Sequence, residues 1–310
     1  MRREGSRVKR RRTAATKHER RGTVAGPFAL TGWGPPVSID RVTTSTRRRK
    51  DEHIEICLRR PVGSEVTTGL EHVCFEHRAL PEIDLGDVDL SVKLFGRTLR
   101  APLLVGAMTG GSPRARRINH RLARAAAKLG MGMALGSQRA MIEDPRLASS
   151  YAVRDVAPDL PLLVGNVGAV QLRKGVTAAG IARAIRAVGA DALAFHLNPL
   201  QEALQPEGDT DFRGLAALMR RAIPRIGVPC IAKEVGAGIS RPVATLLARM
   251  PLAGVETAGV GGTSWARVES YRAGMTPLAV AGQRLAGFGI PTAESILECR
   301  AAFGRRVVIG

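Results

Sequence analysis

Cysteine is scarce and scattered: Cys57, Cys74, Cys230 and Cys299 are the four in 310 residues, and no two form a CxxC pair. This argues against a disulfide framework or a zinc-finger-type site, and it suits a reducing compartment such as the cytoplasm. Aromatic residues make up only 4% of the chain. Platforms that stack nucleobases need aromatics in groups, so nucleic acid is a disfavoured partner. No run reaches the ~18 apolar residues of a membrane span, and the start lacks the apolar core of a secretory signal. Acidic residues are nearly missing from the first fifty positions, which hold 3 Asp/Glu against 15 Lys/Arg.

That imbalance locates the charge. The formal net charge is +20, and the first fifty residues carry +12 of it, while the rest balances 32 basic against 24 acidic residues. The early stretch also has no apolar periodicity, so residues 1–37 are expected to be a disordered basic tail. A solvated leader is the plain reading of such a tail, and contact with an anionic surface or nucleic acid is the sharper one.

What the chain has in quantity is glycine, 35 residues, within a 45% hydrophobic composition. From Ala101 onward, short apolar runs alternate with stretches of helical periodicity. The runs lie at 102–107, 132–135, 162–164, 192–197, 229–233, 254–258 and 307–310, and clear helical patterns at 114–129, 178–188 and 212–226. Strand followed by helix, repeated, signals parallel β/α units. Periodicity does not give strand order, but length helps. An eight-unit barrel takes roughly 31 residues per unit, and residues 101–310 would supply about 6.8 units. The expectation is therefore a TIM-type (β/α)8 barrel whose sequence stops in the seventh strand. Residues 38–100 would form an arm and lead-in, and residues 101–310 the barrel.

Polar and glycine residues cluster directly after five of these runs. In a parallel β/α protein such positions converge on one face, where sites form. The densest cluster is HLNPLQEALQPEGD at 196–209. A carboxylate and two amides within seven residues can coordinate a hard cation and bind an oxyanion. Alternatively, Asp209 or Asp211 caps the following helix. Lys233 ends an otherwise apolar run, where a cation must meet an anion. The ordinary partner would be Glu234 or Glu256. The glycines at 261 and 262 could let backbone amides cradle a phosphate. The basic run at 47–50 is either solvated or an arm that folds over an anionic ligand.

Taken together, the motifs resemble one family. RKDEHI at 49–54, AMTGG at 107–111, GSQR at 136–139, NVGA at 166–169, HLNPLQE with QPEGD at 196–209, KEVGAGIS at 233–240 and GGTSWA at 261–266 are similar to those of the type 2, FMN-dependent isopentenyl-diphosphate delta-isomerases. Flavin-dependent hydroxy-acid oxidases share the barrel but lack HLN..QE. The resemblance implies FMN, Mg²⁺ and NADPH as cofactors, isopentenyl and dimethylallyl diphosphate as substrate and product, and a homo-oligomer, tetramer or octamer. By position it implies FMN contacts from Ala107, Met108, Thr109, Ser137, Asn166, Lys233 and Thr263. Arg49, Lys50, Ser137, Gln138, Arg139 and Gln201 would hold the substrate. Glu202 would ligate Mg²⁺, and His196, Asn198 and Gln201 are the candidate catalytic residues. Two departures stand out: Glu256 replaces an expected Asp, and the serine-glycine-glycine turn and final β/α unit expected after VVIG have no counterpart in the sequence. A different FMN barrel oxidoreductase, or an inactive relative, is the alternative that these departures leave.

Overall fold

The computed structural model describes residues 39–310, with side chains described from Arg48 onward. The expected basic tail lies outside the described residues.

A long helix, α1 (Ile39–Arg59), leads into an irregular stretch and then a small antiparallel hairpin, β1 (Val92–Leu94) and β2 (Arg97–Leu99). Its turn puts Phe95 at φ 51° and Gly96 at φ 78°, the doubly left-handed turn that matches strand twist. This hairpin was not anticipated, because three-residue strands carry almost no periodicity of their own.

The parallel units follow in order. They are β3 (Leu104–Val105), α2 (Pro113–Leu129), β4 (Gly132–Ala134), α3 (Arg139–Glu143), β5 (Leu163–Gly168), α4 (Ala178–Ala187) and β6 (Ala192–His196). Next come α5 (Pro199–Leu204), α6 (Leu215–Ala222), β7 (Cys230–Lys233), α7 (Arg241–Ala248), β8 (Gly254–Glu256), α8 (Trp265–Ala273), α9 (Pro277–Arg284), α10 (Thr292–Phe303) and β9 (Val307–Ile309). All seven expected strands are present. Their order across the sheet is the order in sequence, β3 to β9, and every pairing is parallel. A doubly wound sheet must reverse its strand order at a switch point. Monotonic order instead keeps all crossovers on one side, which is the winding of a β/α barrel. Among the described residues the sheet is open between β3 and β9.

Helix boundaries follow local chemistry. The Ser112 side chain accepts a hydrogen bond from the Ala115 amide at 3.2 Å, Pro113 occupies the first turn, and Gly130 ends α2 at φ 67°. Ala115, Asn119, Ala123 and Ala126 make its buried stripe. Thr177 caps α4 in the same way.

Strand parity sorts the core into two sets. Leu163, Val167, Leu193, Phe195, Ala232 and Val255 pack outward against the helices. Leu104, Ala134, Val164, Ala192, Ala194, Ile231, Val307 and Ile309 point inward, joined by Leu94 and Leu99 of the hairpin, which line the lower interior. Asp191, just before β6, ties this end together. It receives Arg97 Nη2 and Arg154 Nη2, each at 2.6 Å, and the Leu163 amide at 2.8 Å.

Candidate functional site

The same parity that turns Ala192 and Ala194 inward turns His196 inward at the C-terminal end of β6. Register then aligns a row across four strands: Gly168 beside His196, His196 beside Lys233, and Lys233 beside Glu256. Asn166 lies inward one step lower. Apolar side chains therefore fill the sheet's interior up to one level, and polar ones begin above it. They floor a cavity of about 310 Å³.

The floor is tightly bonded. Asn166 Oδ1 lies 2.7 Å from His196 Nδ1. Lys233 Nζ is 3.4 Å from Glu256 Oε1 and donates to the Glu234 carbonyl. Of the two expected partners for Lys233, Glu256 makes the ion pair. The Glu234 carboxylate is committed to the amides of Val235, Gly236 and Ala237. Burial, and then the positive charges of Lys233, Lys50 and Arg49, press the His196 pKa down to about 3. His196 is therefore a neutral imidazole near pH 7.

One wall comes from the turn and short helix after β6. Glu202, 9% exposed, accepts Asn198 Nδ2 at 2.9 Å on one oxygen and the Asp209 amide at 2.7 Å on the other. Gly208 permits this loop to close: a Cβ there would lie 1.8 Å from the Glu202 carbonyl oxygen. Asn198 Nδ2 also donates to Gln201 Oε1 at 3.1 Å, while Asn198 Oδ1 is buried without a partner. Gln201 Nε2 donates to Glu269 Oε1 at 2.9 Å, and Glu269 is fully buried.

The rim is cationic. Arg49 and Lys50 reach the cavity from α1, and Arg139 reaches it from the start of α3. Arg49 Nη1 donates to Gln205 Oε1 at 3.2 Å. Arg139 is held by Glu143 at 2.8 Å and Asp209 at 3.0 Å. Burial and then the neighbouring Arg49 lower the Lys50 pKa to about 8, while Arg49 is lowered by burial and then by Arg139. Like charges crowded in a half-buried site repel, and an incoming anion relieves that repulsion. The arm is docked by Ser112 Oγ donating to Asp51 Oδ1 at 2.7 Å and by Arg114 pairing with Glu55 at 3.0 Å.

Most expected site residues line this one cavity: Arg49, Lys50, Ala107, Met108, Ser137, Arg139, Asn166, His196, Asn198, Gln201, Glu202, Lys233 and Thr263. Two do not. Gln138 is fully buried behind the strands, accepting the Asn166 amide at 3.0 Å and donating to the Ala184 carbonyl. Thr109 is 7% exposed, and its carbonyl takes Asn119 Nδ2 at 3.1 Å. The capping reading of Asp209 and Asp211 is corrected. The next helix starts later, at Leu215 after Gly214, with no side-chain cap. Asp209 instead binds Arg139, Lys174 and Gln171, and Asp211 binds Arg173 and Arg213. Basic partners, all but Arg213 distant in sequence, take these carboxylates instead of a helix end. Ser264 caps α8, and Gly262 accepts the Ser64 amide through its carbonyl.

Sequence reasoning missed His53, Gln171, Gln205 and Trp265, all of which line the cavity. His53 follows Arg49 by four residues, so helical spacing alone puts the two on one face. It stacks edge-on against Trp265 with ring centroids 5.1 Å apart. Its Nε2 is 3.0 Å from Glu269 Oε1 but off line for a hydrogen bond. Among the described residues no group of three His, Cys, Asp or Glu could hold a metal ion by itself, and no helix is long and apolar enough to cross a membrane.

No protein-family model matches the chain. Curated relatives do. A protein of Synechococcus sp. named isopentenyl-diphosphate delta-isomerase is 50% identical over 258 residues, covering 83% of this chain and 74% of that one. One of the same name from Methanococcoides burtonii is 47% identical over 262 residues, covering 83% and 71%. Among solved structures, a mandelate oxidase mutant with a monooxide FMN adduct aligns with a TM-score of 0.48 at 16% identity, covering 87% of this chain and 84% of that one.

Proposed function

The chain belongs to the isopentenyl-diphosphate delta-isomerase family, and from that premise we propose that its cavity interconverts isopentenyl and dimethylallyl diphosphate with FMN and Mg²⁺ bound. The observation that carries this reading is the meeting of Arg49, Lys50 and Arg139 above Glu202, a cationic rim over a single buried carboxylate. Mg²⁺ in phosphate sites commonly takes one or two carboxylates and fills its shell with water and phosphate oxygens. Glu202 fits that use, and a lone carboxylate would not hold the ion without the diphosphate. The unpartnered Asn198 Oδ1 offers a further acceptor to whatever binds.

The opposite wall suits a flat ring. Gly106 and Gly262 line the cavity, and a Cβ at either position would meet nothing within 4 Å, so planar surface can approach the backbone there. Ala107, Met108, Ser137 and Thr263 complete that wall, Asn166 meets it from the floor, and Lys233 supplies a buried cation for a ring carrying negative charge. Reduced FMN, with NADPH as the reductant, would supply an electron-rich ring edge for proton transfer without net redox change.

This chain's residues do the rest. Isomerisation adds a proton to the terminal alkene carbon and removes one from the carbon two bonds away. The intervening tertiary carbon is cation-like in between, so water must be kept out. The arm carrying Arg49, Lys50 and His53 roofs the cavity together with Trp265. The diphosphate takes no part in the bond changes, so its binding to Arg49, Lys50, Arg139 and a Mg²⁺ that Glu202 would hold would serve orientation. Gln201, Asn198 and neutral His196 face the reacting end, where a neutral polar wall tolerates a passing cation better than a fixed positive charge. A homo-oligomer in the cytoplasm completes the reading, and sedimentation of the purified protein tests its assembly state.

The test of the function is direct. The purified chain is incubated with FMN, NADPH, Mg²⁺ and isopentenyl diphosphate without oxygen, and the acid-labile allylic product is counted. Product that depends on FMN and Mg²⁺ supports the reading. None, with FMN demonstrably bound, refutes it.

A further inference from the structure

We propose that Arg272 of α8 is a positioning residue that fixes the diphosphate-gripping arm and the Gln201 amide with one guanidinium. Its three nitrogens each serve a carboxylate from a different part of the fold. Nε reaches Glu52 of α1 at 3.3 Å, Nη1 reaches Glu269 of α8 itself at 2.6 Å, and Nη2 reaches Glu207 of the loop after α5 at 2.7 Å. The side chain is only 10% exposed, and Glu269 is fully buried.

Each carboxylate leads somewhere in the cavity. Glu52 shares α1 with Arg49, Lys50 and His53. Glu207 lies 3.8 Å from Arg49 Nη1 as well. Glu269 receives Gln201 Nε2 at 2.9 Å and stands beside His53 Nε2. Arg272 is thus one contact from the arm and two from both Arg49 and Gln201, yet it does not line the cavity. Burial raises the Glu269 carboxyl pKa, but His53, Gln201 and Arg272 outweigh that and hold it below the ordinary value. An ionised, fixed Glu269 dictates which way the Gln201 amide points, since only its NH₂ end can donate. A planar fork is required to hold Glu52, Glu207 and Glu269 at once, because an ammonium at the same place is a single point charge.

The kinetic part of this proposal rests on the isomerase reading; the binding and exchange parts do not. Three proteins are compared in the full chain: wild type, Arg272→Gln and Arg272→Lys. The probes are inorganic pyrophosphate with Mg²⁺ by calorimetry, amide hydrogen exchange across residues 48–59, and kcat and KM. Arg272→Gln should weaken pyrophosphate at least tenfold, speed exchange in α1, and lower kcat as well as raise KM. Arg272→Lys keeps a cation beside Glu269, so it should raise KM at least tenfold with a smaller loss of kcat. If Arg272→Gln does not fold, the double variant Glu52→Gln with Glu207→Gln leaves the buried Arg272–Glu269 pair intact. It should still weaken pyrophosphate and loosen α1. Wild-type pyrophosphate affinity and α1 exchange in whichever of these variants folds, with only thermal stability lowered, would overturn the proposal and leave a purely structural ion cluster. A wild type that binds pyrophosphate but makes no product would sink the isomerase reading while leaving the positioning role to be judged on binding and exchange.

Discussion

Asn166 Oδ1 and His196 Nδ1 lie 2.7 Å apart, and that contact sets which ring nitrogen carries the proton. An amide oxygen can only accept, so Nδ1 carries the proton and Nε2 keeps its lone pair. The ring stands close under the backbone, since a Cβ on Gly168 would lie 2.9 Å from Nε2.

The first prediction concerns the charge of this ring. With its pKa pressed to about 3, His196 should show no NMR titration between pH 5 and 8. The unfolded chain binds the proton near the ordinary value of about 6.5, so stability contributed by the neutral ring is present above that pH. It should be lost as pH falls from about 6.5 toward 3, with a slope of up to about 1.4 kcal/mol per pH unit from this group. Asn166→Asp places an anion against Nδ1 and should raise the titration by at least one unit. An ordinary His196 titration in the wild type would contradict this.

Lys50 should reveal itself through the pH dependence of anion binding. Its ammonium form is lost as pH rises through about 8. Pyrophosphate affinity should be flat below that pH and fall above it. Lys50→Met should weaken binding at least tenfold at pH 7, about 1.4 kcal/mol, and erase the inflection. An unchanged pH profile in the variant would assign the inflection elsewhere.

Glu202→Gln should lower Mg²⁺-dependent turnover at least 100-fold while FMN stays bound. The substitution turns one oxygen into a donor, and both groups that Glu202 accepts from, Asn198 Nδ2 and the Asp209 amide, are donors already. That conflict adds about 1–3 kcal/mol of local cost, to be read from thermal unfolding. Wild-type turnover under limiting Mg²⁺ would remove Glu202 as the metal ligand. Gly208→Ala should copy the defect without touching the carboxylate, because its Cβ would push the loop off the Glu202 backbone.

Much of this was legible in the chain itself, and the rest failed for identifiable reasons. Seven apolar runs gave seven strands because buried parallel strands are continuously apolar and glycine-bounded. The floor row was legible as well, since Lys233 and His196 each close an apolar run. The hairpin was not, for two three-residue strands leave no period to read. Gln138 illustrates the opposite failure. It sits within a motif beside Ser137 and Arg139, but at the entry to α3 its side chain is drawn between the Asn166 amide and the Ala184 carbonyl of α4, and motif membership does not report direction. Trp265 and Glu269 were passed over because helix α8 looks like an ordinary packing helix until α1 is laid against it.

Asp191 offers a prediction at the other end of the fold. Asp191→Ala removes the acceptor shared by Arg97, Arg154 and the Leu163 amide, and should cost about 2–4 kcal/mol in unfolding free energy. The pyrophosphate affinity of the folded variant should match the wild type. A large loss of affinity would show that the two ends of the sheet are coupled.

Strand parity has a further consequence for how such a protein can change over time. The outward residues that hold the helices and the inward residues that line the cavity occupy alternate positions of the same strands, and the apolar members of the two faces pack in separate clusters. Replacements at Gly168, His196, Lys233 or Glu256 therefore leave the outer packing of Phe195, Ala232 and Val255 intact. New chemistry can be explored one strand tip at a time, on a scaffold whose stability is inherited separately.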